Sequence, residues 1–160
     1  MDVRPAQPDD LGALLTINEA AVPGVNSLTA VELRQLCDMA LTTLVAHQGG
    51  TPAGFVLCLS EGLNYASLNY AWISERYPQF AYIDRVAVAS TARGTGLGRA
   101  LYTAAFAHLG KQRETVLCEV NLEPPNPGSI RFHAALGFNE VGQRWLPDRS
   151  KGVVYLARDI

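Results

Sequence analysis

Three glycines at alternate positions, Gly94, Gly96 and Gly98, follow an apolar run and lead straight into residues with helical spacing. Glycine lets a backbone approach a ligand closely and adopt turns closed to other residues. A helix that starts there presents unpaired N–H groups and the positive end of its dipole. Together these features make a cradle for a pyrophosphate, with Arg93 as a cation at its rim. A dinucleotide fingerprint would need a glycine where Arg99 stands, and no Gly-Lys-Ser/Thr closes the loop as a Walker pattern requires. Both of those motifs also follow the first strand of a parallel unit, whereas this loop follows the fourth strand that the pattern yields. A turn that merely joins strand to helix would use the same glycines.

The elements that must position this loop are read from periodicity. Val3 opens a short strand closed by Pro5 and Pro8, and apolar positions from Leu11 to Ala21 recur at helical spacing until Pro23 and Gly24. Thr29 with Glu32 reads as a capping box before a second helix through Leu33, Leu36 and Cys37. Leu44–Ala46 and Phe55–Leu59 pair as a hairpin across Gly49–Pro52. Residues 61–79 read as a loop or broken helix rich in aromatics. Tyr82–Ala89 is a strand, the helix after the glycines carries Leu97, Leu101, Ala104, Ala105 and Leu109, and Thr115–Val120 is the next strand. Pro124–Pro127 is a rigid break, Ser129–Leu136 a short helix ended by Gly137, and two strands, Phe138–Trp145 and Val153–Arg158, finish the chain. The order βααβββαβαββ over residues 1–160 predicts one α/β domain, a mixed sheet covered by helices.

Composition narrows the function. The 160 residues are 48% hydrophobic and carry a formal net charge of −2, with thirteen basic residues and no basic run, so neither nucleic acid nor an acidic membrane is an expected partner. Cys37, Cys58 and Cys118 form no CxxC pair, and the last two lie in apolar runs, which suits buried thiols better than disulfides or metal ligands. No metal site is expected. Free thiols and the absence of a signal-peptide pattern in MDVRPAQPDD point to the cytoplasm.

Arg93, Gly96 and Gly98 after a strand form Arg-x-x-Gly-x-Gly, which resembles the coenzyme A loop of the GNAT acetyltransferase superfamily. Asn126, Ser129, Phe132, His133, Gly137 and Phe138 match a second GNAT segment, on the helix after the fifth strand. The runs NYAWISERYPQFAYIDRVAV and PPNPGSIRFHAALGF look like a bacterial subgroup of the same superfamily. The resemblance covers nearly the whole chain. It implies a mostly antiparallel sheet of about seven strands, splayed between the fourth and fifth, with about four helices. It also implies that acetyl-CoA is bound and its acetyl group passed to an amine.

By the same resemblance, Val86 and Val88 offer backbone groups to the pantetheine arm. The residues Arg93, Gly94, Thr95, Gly96, Leu97, Gly98 and Arg99 hold the pyrophosphate, and Asn126, Ser129 and His133 flank the cofactor. The family often has a tyrosine where this chain has His133. A histidine can carry a proton near neutrality, so His133 is a candidate acid for the departing thiolate, beside a reading in which it only packs against the cofactor. For a base, strand alternation puts Tyr82, Asp84, Val86 and Val88 on one face, with Arg85 opposite as a structural charge. Superfamily members that use a carboxylate base often place it a few residues before the glycine loop. The resemblance therefore makes Asp84 the first candidate, beside a reading as a structural ion pair, and Glu119, on the fifth strand, the second. His47 and His108 have no motif around them.

The family builds its acceptor pocket from the first two helices and the turn between the last two strands, which here hold Asn18, Glu19, Asn26, Trp145 and Arg149. The aromatic stretch adds Tyr70 and Trp72, with Tyr82 behind, and aromatic walls beside a carboxylate suit a small-molecule amine. These aromatics could equally form a small core under a long loop. The expected protein is thus an N-acetyltransferase for a small amine or amino acid, monomeric or homodimeric. Acetylation of peptide or protein N-termini is a rival reading. So is a coenzyme A-binding sensor without catalysis.

Overall fold

The computed structural model describes residues 1–160 as one seven-stranded sheet flanked by five helices. The strands are β1 (Asp2–Pro5), β2 (Thr42–Gln48), β3 (Thr51–Ser60), β4 (Ala81–Val88), β5 (Thr115–Glu123), β6 (Asn139–Trp145) and β7 (Gly152–Asp159). The helices are α1 (Leu11–Ala20), α2 (Ala30–Met39), α3 (Leu68–Ser74), α4 (Leu97–Leu109) and α5 (Pro127–Ala135). The sheet order is β1-β2-β3-β4-β5-β7-β6, and every neighbouring pair is antiparallel except β4 and β5.

That one parallel pair makes the cleft. Its register holds only at Ala81↔Val116 and Tyr82↔Leu117, after which the strands part. The β5-facing edge of β4 from Ile83 onward therefore lacks a strand partner, and a wedge opens through the middle of the sheet.

Local chemistry explains most elements. Thr29 and Glu32 form the expected capping box, the Glu32 amide donating to Thr29 Oγ1 at 3.1 Å and the Thr29 amide to Glu32 Oε1 at 2.9 Å. Asn126 caps α5, its Oδ1 accepting from the Ser129 amide at 3.3 Å. The hairpin between β2 and β3 turns on Gly49 and Gly50, both at positive φ. The aromatic stretch holds a true helix: Ser67 caps α3 by accepting from the Tyr70 amide, and Tyr70 and Ile73, three apart, are buried.

The sheet divides two apolar layers. On one side α4 and α5 cover Val56, Cys58, Ile83, Cys118 and Leu156 with Leu97, Leu101, Tyr102 and Ile130. On the other, α1, α2 and α3 cover Phe55, Leu57, Tyr82, Leu117 and Tyr155 with Leu14, Leu33, Leu36 and Ile73. Close approach of α4 depends on Gly54, where a Cβ would stand 2.5 Å from Leu97 Cδ2. All three cysteines are free.

One expectation needs correction. Tyr82, Asp84, Val86 and Val88 do not share a face, because β4 carries a bulge: Leu57 pairs with Arg85 while Cys58 pairs with Ile83, leaving Asp84 unpaired. One extra residue reverses the alternation beyond it. Tyr82 therefore packs in the layer of α1–α3, whereas Val86 and Val88 pack in the layer of α4.

Candidate active site

A cleft of about 480 Å³ runs through the wedge from one layer to the other. Asn26, Asn69, Asp84, Arg85 and Glu119 line one end, and Arg93, Tyr102, Asn126, Ser129 and His133 line the other. Val86 and Val88 form the wall between them. A second cavity of similar size, among Pro5, Arg34, Cys37 and Thr43, gathers no comparable set of chemical groups.

At the first end Glu119 projects from β5 toward the α1–α3 layer, opposite Tyr155 on β7. Its carboxylate accepts from the Tyr82 hydroxyl at 2.7 and 2.9 Å and from Asn69 Nδ2 at 3.2 Å. Burial pushes this carboxyl up to about 7; the Tyr82 hydrogen bond opposes the rise and the nearby Asp84 charge adds to it. Asp84 is held differently. Its Oδ1 accepts from Tyr65 Oη at 2.8 Å, and Oδ2 pairs with Arg85 Nε at 3.2 Å, with both side chains nearly inaccessible. Arg85 in turn donates through Nη1 to Asn18 Oδ1 and the Asn26 carbonyl. The Asp84 oxygens are committed to a buried ion pair that ties β4 to the end of α1.

At the second end His133 sits 5% exposed among Phe132, Phe138 and Tyr102. Its Nδ1 lies 2.7 Å from the Ser129 carbonyl, which makes that nitrogen the donor, so Nε2 accepts from the Tyr102 hydroxyl at 2.7 Å. Burial pulls its pKa below the ordinary value, and the ring is neutral at pH 7. The glycine loop lies beside this end. Gly94 and Gly96 both have positive φ, and nothing stands within 4 Å of where their Cβ atoms would be. No backbone carbonyl accepts from the amides of residues 94–99. Open amides at the start of α4, with Arg93 and Arg99 exposed and outside every ion pair, fit a pyrophosphate. Within the loop, Leu97 turns into the core and Gly98 faces the Phe132 ring.

The expected acceptor residues are scattered. Glu19 spends both carboxylate oxygens on Ser27, Asn18 and the Leu28 amide, and so pins the loop between α1 and α2. Tyr70 is buried, its hydroxyl donating to the Ser60 carbonyl and accepting from the Leu63 amide. Trp72 stacks on Tyr155 at 3.9 Å and 8°, with the Arg76 guanidinium on its other face. Trp145 covers Gly152 and lies under Arg149, at the turn between β6 and β7. None of these four lines the cleft, and Tyr82 reaches it only through Glu119. Asn69, Tyr65, Tyr102 and Arg144, which no motif marks, do the joining.

A splayed fourth and fifth strand, a glycine loop opening a helix and a second capped helix across the cleft define an acyl-CoA-dependent transferase. The sequence matches the Acetyltransferase (GNAT) family over residues 15–138, and the chain belongs to that family. It is an acetyltransferase. Among solved structures, the ribosomal-protein-S18-alanine N-acetyltransferase of Escherichia coli is similar at TM-score 0.75 and 22% identity, over 99% of this chain and 93% of that one. Ard1 of Thermoplasma volcanium is similar at 0.77 and 20%, over 99% and 97%. Arabidopsis thaliana NAA60 is similar at 0.74 and 19%, over 99% and 97%. At such identities the likeness establishes the fold. Among proteins of curated function none matches this chain. No helix is long and apolar enough to cross a membrane.

Proposed function

We propose that the protein acetylates a primary amine of a small molecule or amino acid, with Glu119 as the general base. The observation that carries this reading is the Glu119 carboxylate lining the cleft in the grip of Tyr82 and Asn69, where burial pushes it up to about 7. A base of that strength is half ionised near neutral pH and takes a proton far better than an ordinary carboxylate. Acetyl-CoA, when bound, supplies the activated acetyl group. Glu119 removes the proton from the amine nitrogen, directly or through one water, as nitrogen bonds to the carbonyl carbon and the thioester C–S bond breaks to release the coenzyme A thiolate. The unpaired edge of β4 at Val86 and Val88 lies along the path of the arm, and the amides of residues 94–99 hold the pyrophosphate. Asn126 and Ser129 face the same channel. His133 stands at the thiol end; its depressed pKa keeps it short of protons at neutral pH, so its share in protonating the thiolate is smaller than the share of Glu119 at nitrogen.

The test is release of free thiol from acetyl-CoA against a panel of primary amines, amino acids and peptides with free N-termini. Turnover with small amines that rises through pH 7 in the wild-type protein, and collapses in Glu119→Gln, supports the reading. Turnover with peptides alone would move the acceptor to a polypeptide N-terminus. That is the acceptor class named for the S18-alanine enzyme. Thermal stabilisation by acetyl-CoA with no turnover of any amine would leave a binding module.

A further inference from the structure

Glu119 does not stand alone at its end of the cleft. The stretch between β3 and β4 folds into α3, and the second residue of that helix, Asn69, is the only side chain it sends to the cleft. Asn69 Oδ1 accepts from Tyr155 Oη at 2.9 Å and from Arg144 Nη2 at 3.1 Å. With two donors on the oxygen, the amide has one orientation, and its Nδ2 must face Glu119. Arg144 Nε also donates to Tyr155 Oη at 3.1 Å. The guanidinium has no carboxylate partner within the protein. The helix is pressed in place by Trp72, three residues on, which stacks on the same Tyr155. A Cβ at Gly142 would strike the Trp72 ring, so β6 has made room for it.

We propose that Asn69 is a positioning residue, presented by α3 and locked by Tyr155 and Arg144, that holds the Glu119 carboxylate in its ionised form at the mouth of the cleft. The role rests on the reading of Glu119 as base. An amide N–H stabilises a carboxylate against its protonated form, and the effect is largest where water is scarce. The groups that face Glu119 are Tyr82 and Asp84 with its Arg85 on β4, Tyr155 on β7, and Arg144 on β6 behind Asn69. Tyr102 on α4 and Cys118 on its own strand lie on the other side of the sheet, near enough to feel its charge. Tyr82 and Asn69 are its two side-chain hydrogen-bond donors, and only Asn69 belongs to an element whose position depends on the β6–β7 pair.

The decisive measurement is the titration of Glu119 by carbon NMR in glutamate-labelled protein, with the resonance assigned by its loss in Glu119→Gln. Asn69→Ala, at a partly exposed helical position, should raise the midpoint by about half a pH unit or more. Asn69→Asp should raise it further, since a donor becomes a negative charge. An unchanged midpoint in both variants overturns the proposal, and a lowered melting temperature with that unchanged midpoint would mark Asn69 as merely structural. The base reading is tested separately by thiol release from acetyl-CoA with the amine that the panel identifies. If the Glu119 midpoint moves but the acidic limb of the rate does not, Glu119 is not the base, and the hold of Asn69 on it still stands.

Discussion

The two ends of the cleft each bury a titratable group, yet the surroundings give the two groups opposite characters. Glu119 is faced by polar donors from β4 and α3, Tyr82 and Asn69, so its charged form has partners even though burial disfavours it. His133 is faced by aromatic rings, and its two nitrogens are used by a carbonyl and a phenol that suit the neutral ring. One end can change charge near pH 7, and at the other burial favours the neutral ring. A buried ionisable group becomes a proton acceptor for chemistry only where the protein has also supplied partners for its charged state.

The contrast is broken most directly by removing each group. Glu119→Gln should lower kcat by about 100-fold or more, the usual reach of a general base, while acetyl-CoA binding persists. His133→Phe should lower kcat less than about tenfold. Steady-state thiol release with the amine identified by the panel checks both, and a larger loss at His133 would reverse the assignment of the two ends.

Stability against pH tests the same contrast without a substrate. The folded-state pKa of Glu119 is raised, so the folded protein binds more protons than the unfolded chain between about 4.5 and about 7. Stability therefore falls as pH rises through that window, by about 3 kcal/mol, and Glu119→Gln should flatten the slope. His133 acts with the other sign: its folded pKa is depressed, so its contribution is full above the ordinary histidine value of 6.5 and is lost as pH falls below it. Urea unfolding of wild type and the two variants at pH 5 and pH 8 separates these slopes. His133→Phe also strips the Tyr102 hydroxyl of its acceptor in an apolar cage, which should cost about 1–3 kcal/mol at every pH.

Much of the scaffold is legible in the residue order, and the exceptions have physical causes. The strand, glycine loop and α4 announce themselves because the loop needs open amides and positive φ, which only glycine supplies without strain. The caps of α2 and α5 are equally local. Parity in β4 is lost because its bulge falls at Asp84, between an isoleucine and an arginine, with no glycine or proline to mark it. Tyr70 and Trp72 suit a cleft wall and a small core equally well in the sequence, because aromatic residues do not reveal which side they face; the Ser67 cap turns Tyr70 inward and lays Trp72 on Tyr155. Asn69 and Tyr102 escape because their partners lie 50 and 31 residues away, and no spacing rule links side chains that meet only across a sheet.

The finest probe concerns how rigidly the polar end is built. Tyr155→Phe keeps the ring under Trp72 and the strand pairing with Glu119, but deletes one of the two donors on Asn69 Oδ1. Arg144 Nη2 remains to hold the amide, so the Glu119 midpoint should rise by less than in Asn69→Ala and stability should fall by about 1 kcal/mol or less. Adding Arg144→Gln removes the second donor and frees the amide to rotate. If the lock is what matters, the double variant should approach the Asn69→Ala midpoint, and the two single changes should sum to less than the pair. Strict additivity would mean that Tyr155 and Arg144 reach Glu119 through their own fields rather than through the amide between them.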